Sequence, residues 1–404
     1  MVRTLQKAGF QALWAGGCVR DEFLGLSPDD YDVATSARPE QLKPLFRRRN
    51  EIGAHFGVVQ VIGPKGADGE WLTTEVASFR SDGAYIDGRR PESVVFSSPE
   101  EDARRRDFTI NGMFFDPVKN ELIDFVGGRA DLEARVLRAI GNPFERFSED
   151  KLRILRAARM ATRFDLAIDP DTHQAARQMA PQITLVSAER IAEELRKLFV
   201  HPNRARGLAL LRGLGLVEPI FPELAGEETW ARAGRVVEGL GGGGRPSFPL
   251  VFAALLHALG AKVAEEVGLR LKLSNVELGR ARWLVEMQSA LVDAPAMRPS
   301  ALYPILIHPG ARELLALHRA TALAEGRNDD HAAFCERVLR DSSPEELNPP
   351  PLVTGEDLIA LGLKPGPVFK RLLEAVRAAQ LDGLARSKEE AHLLIQRLLA
   401  APAT

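Results

Sequence analysis

The hydrophobic pattern of this 404-residue chain changes once, near residue 145, and that change restricts the fold more than any single motif. Before it, short β-branched runs alternate with turn residues: Val58-Val59-Gln60-Val61-Ile62, Thr73-Thr74-Glu75-Val76-Ala77 and Ser93-Val94-Val95-Phe96. Such runs, bounded by Gly, Asp and Pro, read as strands, with Leu122-Ile123-Asp124-Phe125 a shorter one. A helix is expected to open at Val19 or Arg20, and another to run from Pro39 through Phe46. Together these give an α+β front domain.

Beyond residue 145 the apolar period becomes helical. Lys151 to Phe164 carries Leu152, Leu155, Ala158, Met160 and Ala161, and Ala188 to Val200 carries Ile191, Leu195, Leu198 and Phe199. Ser187 is the expected N-cap of the second. Leu208 to Leu216, Leu250 to Leu259, Val276 to Leu291 and Ala311 to Leu323 read as further helices, with Gly241 to Gly244 as a flexible loop. The polar, proline-rich stretch from Ser342 to Pro351 reads as a boundary before a helical tail. A chain of 404 residues exceeds one ordinary core. The expected division is a head at 1–145, a helical neck at 146–200, a helical body at 201–341 and a tail at 352–404.

Composition narrows the function classes. Net charge is −2, so a polyanionic partner has to be met by local basic patches rather than by the overall field. Cys18 and Cys335 lie far apart, which excludes a metal-ligand spacing and argues for a reducing compartment. No apolar run approaches membrane-spanning length, and the first residues lack the apolar core of a signal peptide. A cytoplasmic enzyme with no obligate protein partner is the expectation.

The chemistry centres on Asp30-Tyr31-Asp32. On a strand, Asp30 and Asp32 point to one face and Tyr31 to the other. Two adjacent carboxylates repel unless a cation lies between them, and hard oxygen donors favour magnesium with positions left for phosphate oxygens. Upstream, Gly16 and Gly17 precede the expected helix, where backbone N–H groups can approach an anion and Arg20 can add a charged fork. Glu75 lies in a strand-like run and supplies a third carboxylate, which suits two-metal phosphoryl transfer. Asp150 and Arg153 stand three apart on an expected helix, either as a helical ion pair or as a matched acceptor and donor.

These residues resemble the motifs of the class II tRNA nucleotidyltransferases and related bacterial poly(A) polymerases, within the DNA polymerase β-like superfamily. Gly16 to Asp21 with Leu24-Gly25 and Asp30 to Thr35 look like the first motif, and Arg104 to Asn111 like the second. Glu149-Asp150-Lys151-Leu152-Arg153, with Arg156 and Arg159, looks like the nucleotide-selecting motif. Ser187 to Ile191 looks like the motif that braces the selecting helix. The resemblance implies a nucleotidyltransferase head with a mixed sheet, followed by an all-α neck, body and tail. It makes Asp30 and Asp32 the metal ligands and Glu75 the third catalytic acid. It assigns Arg106, Arg156 and Arg159 to the nucleotide, and places tRNA contacts in the tail, where Lys364, Lys370 and Arg371 are candidates to grip the RNA backbone.

The same resemblance implies how a protein acts as template. The pairing edges of C and A both present an amino donor beside a ring-nitrogen acceptor, whereas G and U present the opposite order. Asp150 accepting from the amino group and Arg153 donating to the ring nitrogen would admit C and A and leave G and U with buried clashes. The expected reaction is template-independent addition of CCA to tRNA from CTP and ATP, with addition of the terminal A alone as the alternative. Arg80 to Pro91 fills the place of a mobile segment missing from CC-only enzymes. Gly53 to Gly57 departs from the basic segment of poly(A) polymerases, and His55 in it reads as a turn residue. Leu255-Leu256-His257-Ala258 lacks the Asp of a His-Asp phosphohydrolase pair. A catalytically inactive tRNA-binding protein would have lost its metal ligands or selecting pair, and this chain retains both.

Overall fold

The computed structural model describes residues 1–50, 57–66, 69–82 and 94–400. The expected segment at Arg80–Pro91 lies outside the described residues beyond position 82, as do His55 and its neighbours 51–56. The chain separates into two compact units, Met1–Ala225 and Gly226–Thr404.

In the first unit, seven strands form one mixed sheet: β1 (Ala12–Ala15), β2 (Val33–Thr35), β3 (Arg49–Asn50), β4 (Val58–Lys65), β5 (Trp71–Ser78), and two more near residue 115. A separate ribbon pairs β6 (Arg80–Asp82) with β7 (Val94–Phe96), and the main sheet is completed by β8 (Phe114–Asp116) and β9 (Glu121–Ile123). The order across the sheet is β3-β4-β5-β2-β1-β8-β9. Within this sheet only β2 and β5 run parallel, with Val33 opposite Val76 and Thr35 opposite Ser78. Alternation along the strands builds a core on each face. Ala12, Val33, Val59, Val61 and Val76 pack with Val2 and Leu5 on one side, while Leu13, Ala15, Ala34 and Phe114 pack with Phe79 and Ala103 on the other.

The helices of this unit are α1 (Val2–Lys7), α2 (Gly17–Phe23), α3 (Pro39–Leu42), α4 (Pro99–Arg104), α5 (Gly128–Glu133), α6 (Pro143–Glu149), α7 (Leu152–Arg163), α8 (Pro170–Met179), α9 (Ala188–Phe199), α10 (Arg204–Gly213) and the short α11 (Val217–Ile220). The expected helices at 151–164 and 188–200 are present as α7 and α9. Ser187 occupies the N-cap of α9 without a side-chain cap bond. Two expectations need correction. The helix expected from Val19 or Arg20 starts at Gly17, because its first turn closes through the Arg20 N–H donating to the Gly16 carbonyl at 3.2 Å. The helix expected through Phe46 ends as α3 at Leu42, and only single turns continue to Leu45 and Phe46.

The second unit is helical among its described residues. The glycine run at 241–244, expected as a flexible loop, closes the helix Glu227–Gly239 as a 3₁₀ turn at Leu240–Gly243. The proline-rich stretch is held in place rather than free: Arg377 donates to the Pro349 carbonyl at 2.6 Å and Gln380 to that of Pro350 at 2.7 Å. Helices Gly355–Ala360, Pro367–Leu381 and Lys388–Ala400 pack around Leu358, Leu372, Val376, Ala391 and Ile395. No helix is long and apolar enough to cross a membrane among the described residues.

Gly128, at the start of α5, lies so close to the turn Thr109–Asn111 that an added Cβ would sit 2.2 Å from the Thr109 carbonyl oxygen. Gly128→Ala is therefore expected to destabilise the first unit by about 1–3 kcal/mol. Gly234, inside the helix Glu227–Gly239, has open space around it. Its alanine variant is expected to gain about 0.5–1 kcal/mol. Chemical denaturation of both variants tests this, and an unshifted Gly128→Ala midpoint would contradict the close approach.

Candidate functional site

The loop after β1 brings the first motif against the second. Gly16 has φ +72°, and a Cβ there would meet Arg106 Nη1 at 2.7 Å, so only glycine gives both the backbone turn and the space. The Gly16 N–H donates to the Met113 carbonyl at 3.2 Å, which ties this loop to the start of β8. Arg20 lines the same cleft with its fork already engaged. Its Nε donates to Asp21 Oδ1 at 2.7 Å, its Nη1 to Asn111 Oδ1 at 2.5 Å, and its guanidinium lies 4.2 Å from the Phe164 ring centre. Arg106 is held similarly, donating from Nη2 to Asp102 Oδ2 at 3.0 Å and from Nη1 to the Asn111 carbonyl at 3.3 Å.

Asp30 and Asp32 do not lie in a strand as expected; they immediately precede β2, where the Ala15 N–H still donates to the Asp32 carbonyl at 3.0 Å. The expected alternation nevertheless holds for the side chains between them. Tyr31 packs on Trp14 with the rings tilted and their centres 4.6 Å apart, and Trp14 packs on the face that carries Val33. Continuing the β2–β5 register one residue beyond Val33 and Val76 sets Asp32 beside Glu75. The consequence is electrostatic. Burial, then the Asp30 and Glu75 carboxylates, push the Asp32 carboxyl up to about 6, against the opposing Arg106. Excess negative charge on hard oxygen donors is the chemistry that a divalent cation relieves. Among the described residues no three His, Cys, Asp or Glu side chains close into a complete metal-ligand set.

Asp150 and Arg153 are both buried, and they do not pair with each other. Asp150 is not on the helix as expected but extended ahead of α7, where its Oδ1 accepts from the Leu152 N–H at 3.1 Å. A short acidic side chain before a helix satisfies a free N–H there, so it caps rather than extends the helix. Arg190 of α9 donates to both Asp150 oxygens, at 3.3 and 2.7 Å. Arg153 donates to Glu149 and, at 2.9 Å, to the Arg146 carbonyl. The helical ion pair that spacing allowed is thus absent, and each member has a different partner.

The arginine row continues along α7. Arg156 donates to Asp107 Oδ2 at 3.0 Å, and Arg159 donates to Glu194 of α9. Burial by itself would raise Asp107, but Arg156 and the Asn111 amide hold it at about 2. Arg156 Nε is buried without a hydrogen-bond partner.

These elements enclose a cleft of about 510 Å³. Its lining includes Gly16, Gly17, Arg20, Asp32, Arg106, Arg153, Arg156 and Arg159, drawn from three separated stretches of sequence. Asp30, Glu75 and Asp150 are not part of that lining. Arg105, Arg163 and Lys197 are, although the motifs assigned none of the three to the nucleotide. Arg163 was legible as the next turn of the same helical row; Lys197 had no local signal, because α9 brings it there. Seven arginines and a lysine against two aspartates make the cleft a receptor for a highly charged anion such as a triphosphate. Lys364, Lys370 and Arg371 are exposed in the second unit, with Lys370 Nζ 3.8 Å from Glu374.

Comparison with known proteins gives matching findings. The family described as "Poly A polymerase head domain" matches residues 12–138, and "Probable RNA and SrmB- binding site of polymerase A" matches residues 165–227. A CCA-adding enzyme of Geobacillus stearothermophilus is 35% identical over 395 residues, spanning 96% of this chain and 93% of the relative. One from Limosilactobacillus reuteri is 30% identical over 397 residues, spanning 95% and 91%. The crystal structure of a Bacillus stearothermophilus CCA-adding enzyme in complex with CTP is similar with a TM-score of 0.79 and 31% identity, covering 98% of this chain and 96% of that one.

The Asp32 carboxyl sets an expected pH dependence. Protonated below about 6, it cannot act as a cation ligand; ionised above, it can. Divalent-cation affinity is expected to be constant above pH 7 and to fall about tenfold per unit well below 6. Calorimetric titration with a divalent cation should show proton release that is absent above pH 7 and rises toward about one proton per ion as pH falls through about 6. Affinity unchanged between pH 7 and pH 5 would remove Asp32 from the ligand set.

Proposed function

We infer the reaction of this chain from one premise: it belongs to the family of CCA-adding enzymes, which are tRNA nucleotidyltransferases. It adds C, C and A to the 3′ end of tRNA, using CTP and ATP. The observation that carries this reading at the level of residues is the convergence of Gly16, Arg106, Asp32 and Arg153 on one arginine-lined cleft.

A nucleotidyltransferase uses a divalent metal, and we assign magnesium. Asp30 and Asp32 would hold it, with Glu75 beside Asp32 as the third acid. Magnesium commonly takes one or two carboxylates and completes its shell with substrate phosphates and water. When bound, it polarises the reacting phosphate and favours ionisation of the attacking 3′ hydroxyl. The protein's own work is positioning. Gly16 and Gly17 leave room for the triphosphate to approach the start of α2, and Arg106, Arg156 and Arg159 neutralise it.

Base choice falls to Asp150 and Arg153, and their hydrogen-bond inventory supports the assignment. A carboxylate has about four acceptor sites. In Asp150 the Leu152 N–H and the two Arg190 N–H groups take three, leaving one on Oδ2. Arg153 spends its Nη1 on Glu149 and Arg146, and its Nη2 makes one longer contact of 3.4 Å with the Arg105 carbonyl, so donors remain on Nε and Nη2. One acceptor and one donor match the shared edge of C and A. U or G would leave both buried groups facing their own kind, at about 1–3 kcal/mol each. In the second unit, Lys364, Lys370 and Arg371 are the residues we assign to the RNA backbone.

Purified protein offered tRNAs ending before the first C, after C, and after CC is expected to extend all three to CCA and stop. Extension of the CC-ended tRNA alone would establish A addition instead. Asp30→Ala and Asp32→Ala should each abolish incorporation while tRNA binding, read by filter retention, stays nearly intact; appreciable incorporation would refute the metal assignment. Arg153→Ala is expected to lower discrimination against U and G by tenfold or more. Unaltered base choice in that variant would refute its role.

A further inference from the structure

We propose that the exposed end of the β4–β5 hairpin, built around Trp71, is a stacking platform for the single-stranded 3′ end of the RNA behind its reacting hydroxyl. The proposal rests on the nucleotidyl-transfer reading above and deepens it. Trp71 opens β5 and is 45% exposed. Arg48 lies with its guanidinium carbon 4.6 Å from the ring centre, and Lys65, directly across the hairpin, has its Nζ at 5.4 Å. Among the described residues neither cation pairs with a carboxylate. With both cations against the ring, Trp71 is still 45% exposed.

Strand alternation relates this patch to the reacting centre. Trp71, Thr73 and Glu75 share one face of β5, and all three are exposed. Four residues of strand separate Trp71 from Glu75 by about 13 Å, the length of about four stacked nucleotides. The sheet order then assigns the two substrates to opposite sides. The carboxylates stand where β2 meets β5; the arginine cleft lies on the β1 and β8 side, with Gly16 and Arg106. A triphosphate in that cleft leaves the β5-β4-β3 side for the strand that carries the attacking hydroxyl.

The chemistry of the patch suits that strand. A partly exposed aromatic ring with two cations against it offers charge to a phosphodiester chain and π surface to its unpaired bases. Stacking is indifferent to base identity. The nucleotide behind the hydroxyl changes after every addition, so a hold without base readout is the kind that serves each step.

Binding is compared for a tRNA ending in CC, whose 3′ nucleotides are unpaired, and the same RNA trimmed to its last base pair. Trp71→Ala is expected to bind the CC-ended tRNA about tenfold more weakly and to raise its KM to match, with KM for ATP unchanged. Trp71→Phe should retain most of the affinity, and the trimmed RNA should bind wild type and Trp71→Ala alike. Arg48→Gln combined with Lys65→Gln, which leaves the ring in place, should flatten the salt dependence of binding. Equal binding of the CC-ended tRNA by wild type and Trp71→Ala would overturn the proposal, as would an equal loss with the trimmed RNA. Failure of wild type to extend any tRNA would instead remove the nucleotidyl-transfer reading, since binding is measured without nucleotide.

Discussion

Seven arginines cannot be gathered around one cleft unless something holds them against their mutual repulsion. In this protein each of the buried or half-buried ones is tied to a carboxylate behind it: Arg20 to Asp21, Arg105 and Arg106 to Asp102, Arg153 to Glu149, Arg156 to Asp107 and Arg159 to Glu194. The acids come from four places, namely α2, α4 with the turn after it, the end of α6, and α9. The pairs therefore do two things together. They make a concentrated positive site tolerable, and one of them, Arg156 with Asp107, ties the head to α7. Removing one acid from a buried pair would cost about 3–5 kcal/mol, because the remaining charge has no replacement for water.

The same arrangement explains why the carboxylates of this region are so differently situated. Asp102, Asp107 and Glu194 are buried and saturated by arginine; Asp30 and Glu75 are exposed, and Asp32, between them, is pushed toward the neutral form. One set of carboxylates anchors cations of the protein, and the other is left with charge to offer a cation from outside. Arg106 stands at the border, bonded to Asp102 while its charge opposes the upward shift of Asp32. Asp150 is fixed from a distance in turn: Arg190 of α9, 40 residues away in sequence, donates to both of its carboxylate oxygens.

Much of the head was legible in the chain. The β-branched runs became β4, β5 and β7 because period-two patterns have few alternatives, and the long apolar helices became α7 and α9. Misreadings occurred where polar residues decide local geometry. Asp150 looked like a helical residue by spacing, but a short carboxylate next to free N–H groups caps the helix instead. The glycine run at 241–244 looked like a loop by composition, yet it closes a helix as a 3₁₀ turn. Arg20 looked like a free anion-binding fork, and it is engaged by Asp21 and Asn111, partners that local sequence cannot rank.

What the sequence determined by itself was the inventory and its spacing: paired acids at 30 and 32, glycines at 16 and 17, and an arginine row on one helix. Those follow from short-range rules, strand alternation and helical periodicity, which act within a few residues. What only the tertiary structure decided was partnership. It set Asp32 beside Glu75 through a parallel register, separated Asp150 from Arg153 by giving each another partner, and brought Lys197 to the cleft. Charge interactions depend on distance and burial, and both are fixed by how distant elements pack, so no local pattern carries them.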